Sequence, residues 1–163
     1  LRASLEPIHE ITQIKGDSII PKHEHWITCD SMQIGVGRSI DTSGGGKSRQ
    51  PTAPSFSEVV LTKSTDIASS DLFFQAAGGK ELGKAEIHLL STSEAGKPPQ
   101  VFMMIELSEP IISSYSMSSA GDRPSESFSI NFTKISYQYD DFSGGKKTTG
   151  TAKKFDLMAS DTF

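Results

Sequence analysis

The chain has 163 residues with 16 basic and 20 acidic side chains, so its formal net charge is −4. This acidic balance, with no basic run longer than two residues, argues against a nucleic-acid-binding protein that works through bulk charge. Residues 101–105 form the longest mainly apolar run, far short of the ~20 residues of a transmembrane helix, so no membrane insertion is predicted.

The first part of the chain alternates between strand patterns and turns. Residues 8–14 predict a short strand that ends in a turn at residues 15–18. Residues 26–38 predict one long strand, with Ile27 and Cys29 on one face. The opposite face carries the later apolar residues, Met32, Ile34 and Val36. The change of phase near Ser31 predicts a bulge or bend.

A long polar segment follows at residues 39–55. It contains Gly44, Gly45, Gly46 and two prolines but almost no large apolar side chain. Loops of this length in compact proteins are usually functional or disordered. We therefore expect an extended loop, followed by a strand at residues 56–61.

One short helix is predicted after that strand. Thr65 or Ser69 suits the N-cap, Asp71 favours the positive end of the helix dipole, and Gly78 with Gly79 supplies the stop. The apolar residues expected to pack on the sheet are Ile67, Leu72 or Phe73, and Ala76.

The second half reads as strands separated by turns. Strands are expected at residues 84–91, 100–107, 111–117 and 152–158. A turn at residues 120–124 separates two strand patterns, and the second has its apolar residues at Phe128, Ile130 and Phe132. The alternation then moves to odd numbers, at Ile135, Tyr137 and Tyr139, which predicts a bulge or sharp bend near residues 133–134.

These elements predict a mainly β fold. About eight or nine strands and one helix favour an antiparallel β-barrel of two sheets, with the helix packed on its side and the long loop extended. The length predicts one such domain, residues 1–163.

Candidate reaction centres are few. His23 and His25 would point the same way on a strand, as zinc ligands can, with only His9 and His88 left as a third histidine. A solvated loop is the more frequent explanation of such a pattern. Cys29, the single cysteine, forms no internal disulfide and lies beside Ile27, which favours a buried structural thiol over a nucleophile.

Three further motifs have simpler structural explanations. The segment from Ser43 to Ser48 is similar to the end of a phosphate-binding loop, but Asp41 replaces its first glycine and prolines follow it. Asp140 and Asp141 are too few to hold calcium, which takes six or more oxygens. Residues 122–123, an Asp-Arg pair, favour a turn. No catalytic residue, cofactor or metal site is predicted.

Several segments together resemble the Hcp family, the haemolysin-coregulated proteins of bacterial type VI secretion systems. The resemblance covers roughly residues 11–156. It rests on the segments ISSYS, GDRPSE and NFTKISYQY at residues 112–116, 121–126 and 131–139. It also rests on IKGDS at residues 14–18, GVG at residues 35–37, and the passage from FSEVVLTK to GGK at residues 56–80. Residues 1–10 have no clear counterpart, and residues 157–163 form only a short tail, with no fused toxin domain expected.

The resemblance implies a structural subunit and not an enzyme. Six copies would form a ring, and rings would stack into a hollow tube that a contractile sheath expels together with a spike protein, with small effectors in its lumen. The protein would assemble in the bacterial cytoplasm and then leave the cell without a classical signal peptide.

The long loop is the expected subunit contact, because its glycines let the backbone lie close to a partner surface. The contact residues in this hypothesis are Ser43, Gly44, Gly45, Gly46, Lys47 and Ser48. Three alternatives remain open. They are a monomeric ligand-binding β-barrel, a metal-dependent hydrolase that uses His23 and His25, and a family member specialised as an effector carrier.

Overall fold

The computed structural model of the protein describes residues 2–6, 14–41, 50–91, 99–142 and 147–162. In these residues the chain forms fifteen strands and one helix. The strands up to the helix are β1 (Arg2–Glu6), β2 (Ile27–Thr28), β3 (Ser31–Gln33), β4 (Val36–Gly37), β5 (Ile40–Asp41), β6 (Gln50–Pro51), β7 (Ser55–Phe56) and β8 (Val59–Ser64). After α1 (Ser69–Gly78) come β9 (Lys84–Leu90), β10 (Val101–Ser108), β11 (Ile111–Ser118), β12 (Ser125–Asn131), β13 (Lys134–Tyr139), β14 (Lys153–Asp156) and β15 (Asp161–Thr162).

The mainly β, antiparallel fold expected from the sequence is confirmed. Eight of the described strands have four or more residues, in line with the eight or nine expected. The others are pairings of two or three residues. Such short pairings leave no detectable alternation in a sequence, since period-two patterns need four or more residues.

The strands form two main sheets. The larger has seven strands in the order β15-β14-β13-β10-β9-β1-β2, and the smaller has four in the order β11-β12-β8-β3. All pairings within both sheets are antiparallel. Antiparallel sheets place alternate residues on opposite faces, so each sheet can bury one face and expose the other.

The buried faces of the two sheets join in one core. In the larger sheet, Ile87, Ile105 and Leu107 are almost completely buried. In the smaller sheet, Leu61 and Phe128 are equally buried, and they are paired across β8 and β12. Burying each such side chain contributes about 1.5–3 kcal/mol, so this shared core is the main stabilising feature of the fold.

Among the described strands, the chain passes between the two main sheets four times, and two of these crossings coincide with the expected changes of apolar phase. Between β2 and β3 it passes from the larger to the smaller sheet, close to the expected change at Ser31. Between β12 and β13 it returns, at residues 132–133, and this confirms the expected sharp bend. A crossing changes which face is buried, because the core lies on opposite sides of the chain before and after it.

The single long strand expected at residues 26–38 is wrong. Three short strands, β2, β3 and β4, occupy this segment. Ile27 and Cys29 are buried as expected, but 64% of Val36 is exposed. The chain leaves the core after Ile34, so Val36 keeps the alternating position of an inward residue but is not buried.

Two outcomes concern the N-terminal part of the chain. Strand β1, which no sequence pattern indicated, inserts between β2 and β9 in the larger sheet. The strand expected at residues 8–14 falls mostly outside the described residues, and Ile14 itself is buried without belonging to a strand.

Helix α1 ends as expected but begins differently. Gly79 adopts φ 59°, and its amide donates to the Gln75 carbonyl at 2.9 Å. The N-cap is Ala68, without a side-chain cap, so the expected capping by Thr65 or Ser69 is wrong. The Thr65 hydroxyl donates to the Pro124 carbonyl instead, at 2.9 Å.

The helix packs on the sheet through fewer apolar residues than expected. Leu72 is completely buried and Ala76 packs against the core, whereas 69% of Ile67 and 53% of Phe73 are exposed. Ala68, at the N-cap, fills the place beside Leu72 and is also completely buried.

At Gly16 the early turn approaches the backbone of Trp26 and Ile27 closely. A Cβ atom at this position would overlap the Trp26 carbonyl and the Ile27 backbone, and the Gly16 amide donates to the His25 carbonyl at 2.7 Å. We expect Gly16→Ala to lower the free energy of unfolding by about 1–3 kcal/mol, because the backbone must move. Gly37→Ala is the matched control, since a Cβ there meets nothing within 4 Å. Denaturant unfolding of both variants checks this, and equal stability of the two would contradict it.

Candidate assembly interface

The extended loop expected at residues 39–55 is in its described part a paired β-ribbon, which we call the arm (residues 34–41 and 50–57). Strand β4 pairs with β7, and β5 pairs with β6. Between these pairings, the Ser39 amide donates to Thr52 Oγ1 at 3.1 Å and the Thr52 amide donates to the Ser39 carbonyl at 2.9 Å. The arm therefore brings the chain out and back in register.

The expected contact residues belong to the connection between β5 and β6. Ser43, Gly44, Gly45, Gly46, Lys47 and Ser48 all lie outside the described residues. The similarity of this segment to a phosphate-binding loop falls outside them as well. The contact remains a prediction, and the arm shows only that the two ends of this connection are held together.

The arm is anchored at its base and apolar on its surface. The Phe56 ring lies with its centroid 5.2 Å from that of Phe155 and 6.4 Å from that of Phe132. Further along the arm, 64% of Val36 and 57% of Ile40 are exposed. Exposed apolar residues on a projecting ribbon are a feature of protein–protein contacts.

An apolar groove of about 380 Å³ runs beside the arm. Its walls come from the arm and from the outer strands of the larger sheet, and they comprise Ile34, Gly35, Val36, Phe56, Ile135, Tyr137, Lys153, Lys154, Phe155 and Thr162. The arm surface and the groove thus form one continuous apolar region near the β15 edge of the larger sheet.

Sheet edges supply a second kind of contact surface. Strand β11 pairs with β12 on one side, and its other side meets no further strand among the described residues except through a bridge between Ile111 and Glu81. Met117 near its end is 59% exposed. Unpaired backbone groups along such an edge can pair with another chain.

The candidate zinc ligands His23 and His25 do not converge. His23 is buried and its Nε2 lies 2.8 Å from Nδ1 of His88, whereas His25 is exposed with φ 65° in the same turn. His9 lies outside the described residues. Within the described ranges, no group of three or more His, Cys, Asp and Glu side chains is placed to hold a metal ion.

Cys29 is a buried thiol, as the sequence favoured. Only 4% of the residue is exposed. Burial raises the pKa of Cys29 to about 12, because a thiolate loses its hydration there. A thiol that stays protonated at neutral pH is a poor nucleophile.

The aspartates singled out in the sequence hold turns in place. Asp140 is buried and its carboxylate accepts from Lys147 at 2.8 Å, from Gln138 at 2.9 Å and from the Gly150 amide at 3.1 Å. The hydrogen bonds from Lys147 and Gln138 lower the pKa of Asp140. Asp122 accepts from the Arg123 amide at 2.8 Å. These carboxylates fix the local backbone.

A buried ionic cluster lies beneath the start of α1. Lys63 Nζ lies 2.7 Å from Asp66 Oδ1 and 3.0 Å from Glu126 Oε2, and all three side chains are almost completely buried. Ser69, in the first turn of the helix, adds a fourth polar group 3.4 Å from Lys63 Nζ. The cluster therefore joins β8, β12 and α1.

The charges in this cluster stabilise one another. Burial opposes ionisation of Glu126, but hydrogen bonds from Ser69 and Lys63 and the lysine charge outweigh it and lower the pKa of Glu126. Burial and a hydrogen bond with Glu126 raise the pKa of Tyr115 to about 12. Such a network is structural, since every charge has an internal partner.

The sequence analysis missed this cluster, although a signal for it existed. Lys63 continues the inward alternation of Val59 and Leu61, and Glu126 precedes Phe128 in the same way. Opposite charges at inward positions of two strands indicate a buried pair, and the register places Lys63 directly opposite Glu126.

A family model described as "Type VI secretion system effector, Hcp" matches residues 9–139, which is most of the chain. This chain belongs to the Hcp family. The resemblance seen in the sequence is thereby confirmed. A search of curated proteins finds no match to the chain.

Solved structures of Hcp proteins share the fold along nearly the whole chain. One described as a type six secretion system protein has a TM-score of 0.83, 18% identity and 99% coverage of both chains. Hcp1 from Salmonella typhimurium has a TM-score of 0.73, 20% identity, and coverage of 99% of this chain and 98% of its own. The secreted protein Hcp3 from Pseudomonas aeruginosa has a TM-score of 0.64, 18% identity, and coverage of 95% and 97%.

Membership of the Hcp family implies a secreted component of a type VI secretion system. In the part of the chain that the structure describes, no helix has the length and apolar content needed to cross a membrane.

The ionic cluster predicts a large stability effect at one lysine. We expect Lys63→Met to lower the free energy of unfolding by about 3–5 kcal/mol, because it leaves two buried carboxylates without their cation. Lys84→Met is the matched control. Lys84 also bridges two carboxylates, Glu86 and Glu106, but on the surface, where the loss should stay below about 1 kcal/mol. Denaturant unfolding of both variants checks this, and similar losses would contradict it.

The lowered pKa of Glu126 predicts a dependence of stability on pH. Its stabilising contribution is complete above the ordinary glutamate pKa, about 4.3, and is lost as the pH falls through the lower folded-state value. The stability difference between the wild type and Glu126→Gln should therefore be largest near neutral pH and shrink in acid. Glu106→Gln, which removes a carboxylate from a surface ion pair with Lys84, is the matched control. A difference for Glu126→Gln that is constant from neutral pH into acid would refute the assignment.

Proposed function

We propose that this protein is a structural subunit of the type VI secretion inner tube. Six copies form a ring, rings stack into a hollow tube, and the tube is expelled when the surrounding sheath contracts. The observation that carries this proposal is the match of the Hcp family model to residues 9–139. The Hcp-like fold along the whole described chain supports it.

The surfaces of the molecule suit repeated association. A ring needs two different patches on each subunit that meet by rotation. The arm with its apolar groove is one such patch, and the β11 edge of the smaller sheet is another. A specific contact between subunits should bury about 1,200–2,000 Å² in total.

We propose that the tip of the arm reaches a neighbouring subunit or the next ring. The contact residues are Ser43, Gly44, Gly45, Gly46, Lys47 and Ser48. Support comes from the paired strands β5 and β6, which hold the two ends of this segment together, and from the exposed Val36 and Ile40 on the arm.

We further propose that the protein performs no catalysis itself. In this proposal it assembles in the cytoplasm, meets sheath and spike proteins there, carries small effectors in its lumen, and leaves without a classical signal peptide. The whole chain, residues 1–163, acts as one domain. The burial of Cys29 and the internal pairing of Asp140 support a structural role, because neither side chain is free to act on a substrate.

Assembly can be tested on the purified protein. We expect light scattering to give a particle about six times the 17.6 kDa of one chain, and negative-stain images to show six-fold rings. A monomer at high concentration would contradict the proposal. If that monomer retained an apolar ligand, the groove beside the arm would belong to a ligand-binding barrel instead.

The arm contact is tested separately. Deletion of residues 42–47 leaves two residues between Asp41 and Gln50, which suits a tight hairpin, so the fold should survive. We expect this deletion and Ile40→Asp to weaken ring or tube assembly by about 30-fold or more, corresponding to loss of an interface hot spot of at least about 2 kcal/mol. Ile67→Asp is the matched control, since this exposed isoleucine lies outside the arm. Unchanged assembly in both arm variants would exclude the arm while leaving the ring proposal intact.

A further inference from the structure

Two histidines from distant parts of the chain meet in a direct contact. His23 Nε2 lies 2.8 Å from His88 Nδ1, and the two ring centroids are 5.1 Å apart. His23 belongs to a small turn structure, residues 16–26, and His88 belongs to β9 in the larger sheet. The contact therefore attaches the turn structure to the sheet.

The turn structure is closed by hydrogen bonds of its own backbone. The Gly16 amide donates to the His25 carbonyl at 2.7 Å, and the His25 amide donates to the Ser18 carbonyl at 2.8 Å. Lys22 and His25 hold positive φ values of 70° and 65°. Because these hydrogen bonds close the turn structure, loss of the histidine contact affects the whole segment.

Trp26 completes the contact. Its ring centroid lies 4.6 Å from that of His88 and 4.7 Å from that of His23. It is the single tryptophan of the chain, so its fluorescence reports on this place alone.

The hydrogen bond between His23 and His88 depends on how many protons the two imidazole rings carry. A hydrogen bond between two imidazole nitrogens needs one nitrogen without a proton, because one must donate and the other accept. If both rings carry two protons, two donors and two positive charges face each other at 2.8 Å. The bond is then replaced by repulsion.

The surroundings oppose protonation on balance. Burial and the neighbouring His23 lower the pKa of His88, and Lys84 acts in the same direction. Glu86 opposes them, with Oε2 3.8 Å from His88 Nε2, but it is also bonded to Lys84.

Other charged groups lie on the elements packed against the histidine pair. On β10, Glu106 lies opposite Glu86 and bridges to Lys84. On β1, Arg2 pairs with His88 through the backbone. Lys22, Glu24 and His25 are exposed on the turn. Among these groups only Glu86 is placed to favour a cationic His88.

We propose that the His23–His88 pair is a pH-sensitive latch that holds residues 16–26 on the larger sheet and releases them on acidification. Release separates Gly16 from the backbone of Ile27 in β2, the edge strand that follows this segment. The latch works in a single subunit and does not depend on ring formation.

The sign follows from the lowered pKa of His88. The unfolded or released segment binds a proton at the ordinary histidine pKa of about 6.5, and the latched form binds it only at lower pH. The latch is therefore fully stable above about pH 6.5 and loosens below it. Its opening constant should rise up to about tenfold per pH unit until the pKa of the latched form is reached.

The emission of Trp26 measures the latch in the intact protein. Between about pH 8 and about pH 5, we expect a reversible change with a midpoint below about 6.5. His88→Gln and His23→Gln should abolish it. His25→Asn is the matched control, because it removes an exposed histidine from the same turn and asparagine tolerates positive φ. This variant should retain the change.

Hydrogen exchange of the wild-type protein keeps the test independent of the variants. After correction for the intrinsic rate, the amides of Gly16, Ser18 and His25 should exchange faster as the pH falls, while those of β10 stay protected. The proposal is overturned if the emission change survives in both glutamine variants, if it disappears in His25→Asn, or if residues 16–26 exchange no faster in acid.

Discussion

The shared core between two antiparallel sheets is the constraint on which the structure depends. Because neighbouring residues of a strand point to opposite faces, each long strand can supply the core only at every second position. Ile87, Ile105 and Phe128 obey this rule, and all are almost completely buried. Where the chain passes directly from one sheet to the other between β2 and β3, and again between β12 and β13, its alternation changes phase.

A cluster of charged side chains is buried within this core. Lys63 and Glu126 occupy inward positions that an apolar pair would fill more simply, yet they lie opposite each other, and Lys63 also pairs with Asp66. A buried cation with two carboxylates is strongly destabilised when one member is removed. The cluster thus ties the first turn of α1 to the smaller sheet, in addition to the apolar contacts that the helix makes with the core.

Reactive side chains in the described residues are engaged internally: Cys29 stays protonated, Asp140 is paired with Lys147, and His23 contacts His88. Exposed apolar residues lie on the arm, on α1 and at the end of β11, and others lie on the turn structure and between β14 and β15. Where exposed apolar residues cluster, as on the arm, they are typical of protein–protein contacts. The proposed histidine latch concerns the turn structure, so it alters that surface and not the arm.

Sequence patterns predicted the fold class, the family, the strands of six or more residues and the phase changes near residues 31 and 133, because alternation over several residues survives in the order of side chains. They also favoured a buried Cys29 and the glycine stop at Gly79. Folding in three dimensions set the short pairings of the arm, the insertion of β1, the cap at Ala68, the exposure of Val36, and the meeting of His23 with His88. These depend on which residues distant in the chain become neighbours, and a pattern read along one strand holds no information about its partner.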